Sequence, residues 1–245
     1  MMKIMRRLLK TISRDVVLRR RLPAEFGKVA ILVSPNCALA YWRRNIASVD
    51  PYLLSMVREL VRPGMAVWDI GANVGLFTFA AAGLGAQVLA VEGDTWLANL
   101  LHRSVAINHL PVTVLPAAVA ESTGIGRLHL SEDGRASNSL SSSGDASGQT
   151  VMTVTLDWIL DHYPAPQLIK IDIEGMEYPA LQGATRTLEL KPTLLCEVTQ
   201  NHEAIGGLLT SAGYTMYPAR RKDRFPLKRP SVDTLAVAQD PPRPL

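Results

Sequence analysis

Between Leu168 and Gly183 the sequence LIKIDIEGMEYPALQG passes from a strand pattern to a helix pattern across a cluster of acids. The apolar residues Leu168, Ile169, Ile171 and Ile173 read as a buried strand, and Gly175 marks the break before a helical repeat. Asp172, Glu174 and Glu177 fall within six positions at that junction. A strand that is apolar on both faces belongs in a parallel sheet covered by helices, so this segment points to an α/β fold. In such sheets ligands bind at the carboxyl ends of strands, where these acids stand. Crowded carboxylates repel and call for a cation, hydrogen-bond donors or a raised pKa. Two readings are open at this point, a ligand site and a solvated strand end.

The chain has 245 residues, about half of them apolar, enough for one large α/β domain with or without an appendage. Its net charge of +4 is unevenly spread. Residues 1–21 carry eight basic residues against Asp15, a local charge of +7, which leaves the remainder at −3. The basic character therefore reports an N-terminal arm rather than a nucleic-acid-binding body. Residues 2–18 show an amphipathic helical repeat, with Ile4, Leu8, Ile12 and Val16 on one face and Lys3, Arg7, Lys10 and Arg14 mostly opposite. Such a helix packs on the domain or a second subunit, or lies peripherally on an anionic membrane. Cys37 and Cys196 form no CxxC pair and read as buried thiols in a reducing compartment. The start lacks an uninterrupted apolar signal core, so a cytoplasmic location is expected.

The spacing predicts two short strands joined by a turn over Val29–Trp42, then a helix over Pro51–Leu60 stopped by Arg62-Pro63-Gly64. Further strands are predicted at Met65–Ile70, Gln87–Val91, Val112–Leu115, Gln167–Asp172 and Thr193–Val198. Helices fall between them, from Gly75 to about Ala82, at Thr95–Asn108, at Leu156–Leu160 and at Met176–Leu190 with a bend at Gly183. A polar, β-like stretch over Ala117–Val154 includes a hairpin around Arg127–Leu130 and a loop over Ala136–Gly148. A helix over His202–Ala212 precedes strands at Tyr214–Tyr217 and Thr234–Ala238. The alternation predicts a mainly parallel sheet with helices on both faces and an antiparallel strand at one edge.

The strongest companion to the opening segment is VWDIGANVGLF, Val67–Phe77. A strand delivers Asp69, and Gly71 and Gly75 allow a tight turn into a helix. The dinucleotide fingerprint GxGxxG is absent, and an acid before the glycines is poorly placed for a pyrophosphate. It suits a ligand bearing an ammonium and a sulfonium. Glu92, ending the next strand, stands where an acid accepts both ribose hydroxyl hydrogens. Together these residues describe an adenosine-plus-amino-acid site, that of S-adenosylmethionine.

In VWDIGANVGLF, VLAVEGD, VTLDWIL, LIKIDIEGMEYPALQGA and PTLLCEV, taken in that order, the chain closely resembles the FkbM family of S-adenosylmethionine-dependent methyltransferases. The resemblance spans Val29 to Ala238 and implies the class I methyltransferase (Rossmann-like) fold, with a seven-stranded sheet and transfer to a hydroxyl oxygen. It implies that Asp69, Gly71, Asn73 and Gly75 surround the methionine and ribose portions of the cofactor and that Glu92 binds the ribose. Gly93-Asp94 departs from the proline that commonly follows that acid in the family. Asn138, Ser139 and Leu140 resemble a family stretch near cofactor or substrate, with a surface loop as the alternative. The expected organisation is a basic arm over residues 1–28, a methyltransferase domain over 29–240 and a Pro-rich tail over 241–245.

An alcohol acceptor must lose a proton, which calls for a base or a cation beside it. Asp172 and Glu174 are the candidate bases. Lys170 shares strand parity with Asp172 and so could pair with it, either as a counter-ion or as a lysine snorkelling from the sheet. Asp172, Glu174 and Glu197 could converge on Mg²⁺, but no diagnostic spacing is present and a metal-free site is favoured. His202 is an alternative base, or a capping residue. The expected acceptor is a small molecule of glycan, glycolipid or polyketide type. The rival readings are an NAD-linked oxidoreductase and a non-catalytic scaffold at a membrane surface.

Overall fold

The structure, a computed structural model, describes residues 16–129, 139–141, 148–221 and 223–238. Most of the predicted N-terminal helix, the Pro-rich tail and Asn138 lie outside the described residues. In chain order the strands are β1 (Leu18–Arg21), β2 (Ala30–Val33), β3 (Ala66–Ile70), β4 (Gln87–Val91), β5 (Val112–Leu115), β6 (Ala118–Val119), β7 (Gly124–His129) and β8 (Ser139–Ser141). They continue with β9 (Gln149–Val154), β10 (Leu168–Ile171), β11 (Thr193–Glu197), β12 (Thr215–Pro218) and β13 (Asp233–Val237). The helices are α1 (Pro51–Leu60), α2 (Leu76–Gly83), α3 (Thr95–Ala106), α4 (Leu156–His162), α5 (Glu177–Gln182), α6 (Thr185–Glu189) and α7 (His202–Ser211).

Seven strands form the main sheet in the order β12-β13-β11-β10-β3-β4-β5, parallel from β11 through β5. The antiparallel strand predicted at the edge lies one place inside it, because β13 inserts between β11 and β12 and runs against both. Alternate residues feed two cores. Val67 and Leu168 join the cluster built with α1, α2 and α3, while Trp68, Ile70, Ile169 and Ile171 join the cluster built with α4, α5 and α7. Burying both faces is what makes β10 apolar at every position except Lys170. A four-stranded sheet, β6-β9-β7-β8, fills the chain between β5 and β10.

Local signals account for the elements that match their predicted bounds. The Asp50 carboxylate accepts the Leu53 N–H at 2.8 Å and Pro51 occupies the first turn, so α1 begins where capping chemistry says it should. Asp94 caps α3 in the same way, through the N–H groups of Trp96 and Leu97. The predicted helix over Met176–Leu190 is two helices, because a Cβ on Gly183 would lie 2.8 Å from the Ala120 carbonyl and the chain turns there.

The N-terminal region differs from the prediction. Leu18, expected to end a helix, begins β1, which pairs with β2 in an antiparallel ribbon. Of the two strands predicted over Val29–Trp42 only β2 forms, and Leu39–Trp42 is a 3-10 turn. The free edge of β2 is already satisfied, since Ser104 Oγ accepts the Leu32 N–H and Asn108 bonds both polar groups of Ala30. A second strand has no edge left to join. Arg127–His129, expected at a hairpin, lie within β7 and pair with β8.

Candidate active site

Asp69 and Lys170 meet because β3 and β10 are parallel neighbours whose register places these two residues side by side. Lys170 Nζ lies 3.3 Å from Asp69 Oδ1 and 3.2 Å from Asp172 Oδ2, and it donates to the Gly71 carbonyl at 3.4 Å. Burial works against the ammonium, but Asp172 and Asp69 together hold its pKa above the ordinary lysine range. Lys170 is thus held in its cationic form at neutral pH. The second oxygen of Asp69 accepts the backbone N–H and hydroxyl of Thr78, at 3.1 and 2.6 Å.

The turn after β3 approaches the β10 end closely. Gly71 has φ +78°, and a Cβ there would lie 1.9 Å from the Asp172 carbonyl oxygen. Asn73, at φ +53°, donates its N–H to Glu92 Oε2 at 2.7 Å, and Asp94 donates its N–H to Glu92 Oε1 at 2.8 Å. Burial pushes the Glu92 carboxyl up to about 7, against those two hydrogen bonds. Gln149 closes the same corner by donating to the Gly93 carbonyl and accepting from Thr95.

Beyond β10 the chain doubles back through Glu174 and Gly175, both at positive φ. The buried Glu177 carboxylate holds this turn, accepting the N–H groups of Ile173 and Gly175 at 3.3 and 3.0 Å. A Cβ on Gly175 would meet the Gln200 side chain at 2.7 Å. Burial, with Asp172 and Glu177 nearby, holds the Glu174 carboxyl above its usual range. Burial followed by Asp172 and Asp233 raises Glu197, at the end of β11, to about 7.

A cavity of about 200 Å³ runs over these strand ends. One end is apolar, with Val91, Leu97, Ala118 and Leu128 around Glu92 and Gly93, and the other holds Asp172, Glu174 and Glu197. Of the expected cofactor residues, Gly71, Asn73 and Glu92 line it and Asp69 and Gly75 do not. Asp69 is fully buried and acts on the cavity through Lys170, which fixes the Gly71 carbonyl and Asp172. Gly75 packs against Leu101 and Phe79 at the start of α2. His202 bonds the Pro230 carbonyl and does not line this cavity. Among the described residues no group of three His, Cys, Asp or Glu side chains could hold a metal ion. Side-chain positions are described neither for Ser139 nor for Leu140, which lie in β8.

Two residues that brace turns beside the cavity escape a sequence reading. Glu177 stood in the acidic cluster, but nothing local distinguishes an acid that braces a turn from one that meets a ligand. Gln149 reaches Gly93 across 56 positions of chain.

This sheet order, with an acid buried in β3 and another just after β4, is that of the class I methyltransferase fold. The chain matches the Methyltransferase FkbM domain over residues 69–221 and belongs to that family. It is an S-adenosylmethionine-dependent methyltransferase. The hexuronic acid methyltransferase AglP of Haloferax volcanii is 22% identical over 183 residues, which cover 74% of this chain and 75% of that protein. A ribosomal protein L11 methyltransferase of Chloroflexus aurantiacus is 36% identical over 101 residues, 40% of this chain and 30% of the relative. Among solved structures, the T. thermophilus 16S rRNA methyltransferase RsmC, in complex with AdoMet and guanosine, shares the fold at a TM-score of 0.51 and 14% identity. That similarity covers 91% of this chain and 50% of RsmC. The Pyrococcus abyssi tRNA (uracil-54, C5)-methyltransferase, in complex with S-adenosyl-L-homocysteine, has a TM-score of 0.50 at 15% identity, covering 90% of this chain and 43% of the other.

The residues present suit the cofactor. The apolar end offers walls for an adenine, Glu92 offers carboxylate lone pairs to a ribose diol, and Glu174 and Glu197 at the acidic end offer charge to an ammonium. A ribose diol placed on Glu92 would donate to its ionised form, so cofactor affinity is expected to fall as pH drops through about 7. Methylthioadenosine, which carries the diol but no amino acid, is expected to bind about tenfold more weakly at pH 6 than at pH 8. Calorimetry on Glu92→Gln should show weaker binding with that dependence removed. A dependence that survives the substitution would assign it to another group.

Proposed function

We propose that the protein transfers a methyl group from S-adenosylmethionine to a hydroxyl oxygen of a sugar-containing or polyketide-type small molecule. The observation that carries this reading is Asp172, a carboxylate at the strand end that lines the cofactor cavity and whose side chain is 35% exposed. One of its oxygens takes Lys170, and the other has no partner among the described residues. AglP, named for a hexuronic acid substrate, supports a carbohydrate acceptor.

The cofactor, when bound, supplies an electrophilic methyl group on a sulfonium. Glu92 and the Gly71–Asn73 backbone hold its nucleoside. Val91, Leu97 and Leu128 exclude water from the adenine end. Asp172 orients the acceptor hydroxyl and takes its proton as the oxygen becomes bonded to carbon. Lys170 holds Asp172 in place for that role through their ion pair.

The test is a methylation assay on the purified chain with a panel of hexoses, hexuronic acids, hydroxylated macrolides and a short RNA. Formation of S-adenosylhomocysteine together with an O-methyl ether on a sugar or polyketide is the expected result. Methylation of the RNA, or of a nitrogen or carbon atom, would overturn the assignment. In a thermal-shift measurement S-adenosylhomocysteine should stabilise the protein and NADH should not.

A further inference from the structure

Asp172 faces more than the cofactor cavity. A second cavity, of about 270 Å³, shares Gly71, Asn73 and Asp172 with the first and extends to the other side of the Gly71–Asn73 turn. Its walls come from Ala40 and Tyr41 in the 3-10 turn, Val49 before α1, Leu53 in α1, and Leu76 and Phe77 in α2. The charged groups on it are Asp50, Lys170 and Asp172. Asp50 is committed to capping α1, and Lys170 to Asp69 and Asp172. Asp172 is thus the carboxylate that joins the two spaces.

We infer that the second cavity is the acceptor subsite, and that it takes an alcohol whose reacting hydroxyl adjoins an apolar body. This inference rests on the methyltransferase reading of the first cavity and narrows its substrate class. A hydroxyl buried without a partner loses its water for nothing in return, so a bare, fully hydroxylated sugar is a poor match for these walls. An alkyl, acyl or polyketide carbon chain gains by leaving water for them. An acceptor seated there presents its hydroxyl to Asp172 at the boundary with the cofactor. Part of its wall comes from residues 37–41, where the sequence predicted a strand and the chain instead folds as turns.

The experiment uses the full chain saturated with S-adenosylhomocysteine and two probes, methyl and octyl β-D-glucopyranoside, the second kept monomeric. Calorimetry is expected to show octyl glucoside binding at least about tenfold more tightly than methyl glucoside. Ala40→Trp, which fills the cavity from the 3-10 turn, should weaken octyl glucoside about tenfold while S-adenosylhomocysteine affinity stays within about twofold. Val49→Trp fills it from the other side and serves if the first variant fails to fold. Equal affinity for the two glucosides, or no effect of either filling variant, would overturn the inference. So would a loss of S-adenosylhomocysteine affinity matching that of octyl glucoside, which would make this space part of the cofactor site. A wild-type chain that does not bind S-adenosylhomocysteine would instead overturn the reading of the first cavity.

Discussion

Asp172→Asn is expected to slow methyl transfer by about 10²- to 10⁴-fold, the usual worth of a positioned proton acceptor, while S-adenosylhomocysteine affinity changes by less than about threefold. The side chains are isosteric, so the variant keeps its shape beside Gly71 and loses only basicity and charge. Lys170 retains Asp69 and the Gly71 carbonyl as partners, which preserves the turn. Rate and cofactor affinity therefore separate if Asp172 handles the acceptor. Single-turnover rates beside calorimetric binding provide the check. Equal losses in both would show that Asp172 organises the cofactor end. An unchanged rate would move the base to Glu197, which lines the same cavity and whose carboxyl burial raises to about 7, a value suited to proton transfer at neutral pH.

The parts of this site legible in the sequence are those set by short-range chemistry. Strand parity puts Lys170 and Asp172 on one face, and they pair at 3.2 Å. The predicted bounds of β4, β5 and α1 coincide with the observed ones, because periodicity and capping act within a few residues. Long-range register was not legible. Nothing near Asp69 announces that β10, a hundred positions later, places Lys170 beside it as a buried counter-charge. The β1–β2 ribbon was hidden for the same reason, since Ser104 and Asn108 in and after α3 decide which edge of β2 is free. The second cavity was equally invisible, because α1, α2 and the 3-10 turn meet only in the folded chain.

Lys170→Met is expected to destabilise the fold by about 3–5 kcal/mol, the cost of removing one partner from a buried ion pair. Asp69 has no exposed surface, and Thr78 satisfies only one of its oxygens. Without Lys170 the other oxygen is a desolvated charge with no cation beside it. In the wild type the Lys170 pKa is raised above its unfolded value, so its contribution is complete at neutral pH and is lost only as pH climbs through the folded value in the alkaline range. Urea titrations of wild type and variant at neutral pH therefore read the full difference. Asp69→Asn combined with Lys170→Met should recover much of the loss, because the amide carries no charge to strand. If the double variant is no more stable than Lys170→Met, the lysine contributes through its packed stem and the Gly71 carbonyl, and Asp69 is not its principal partner.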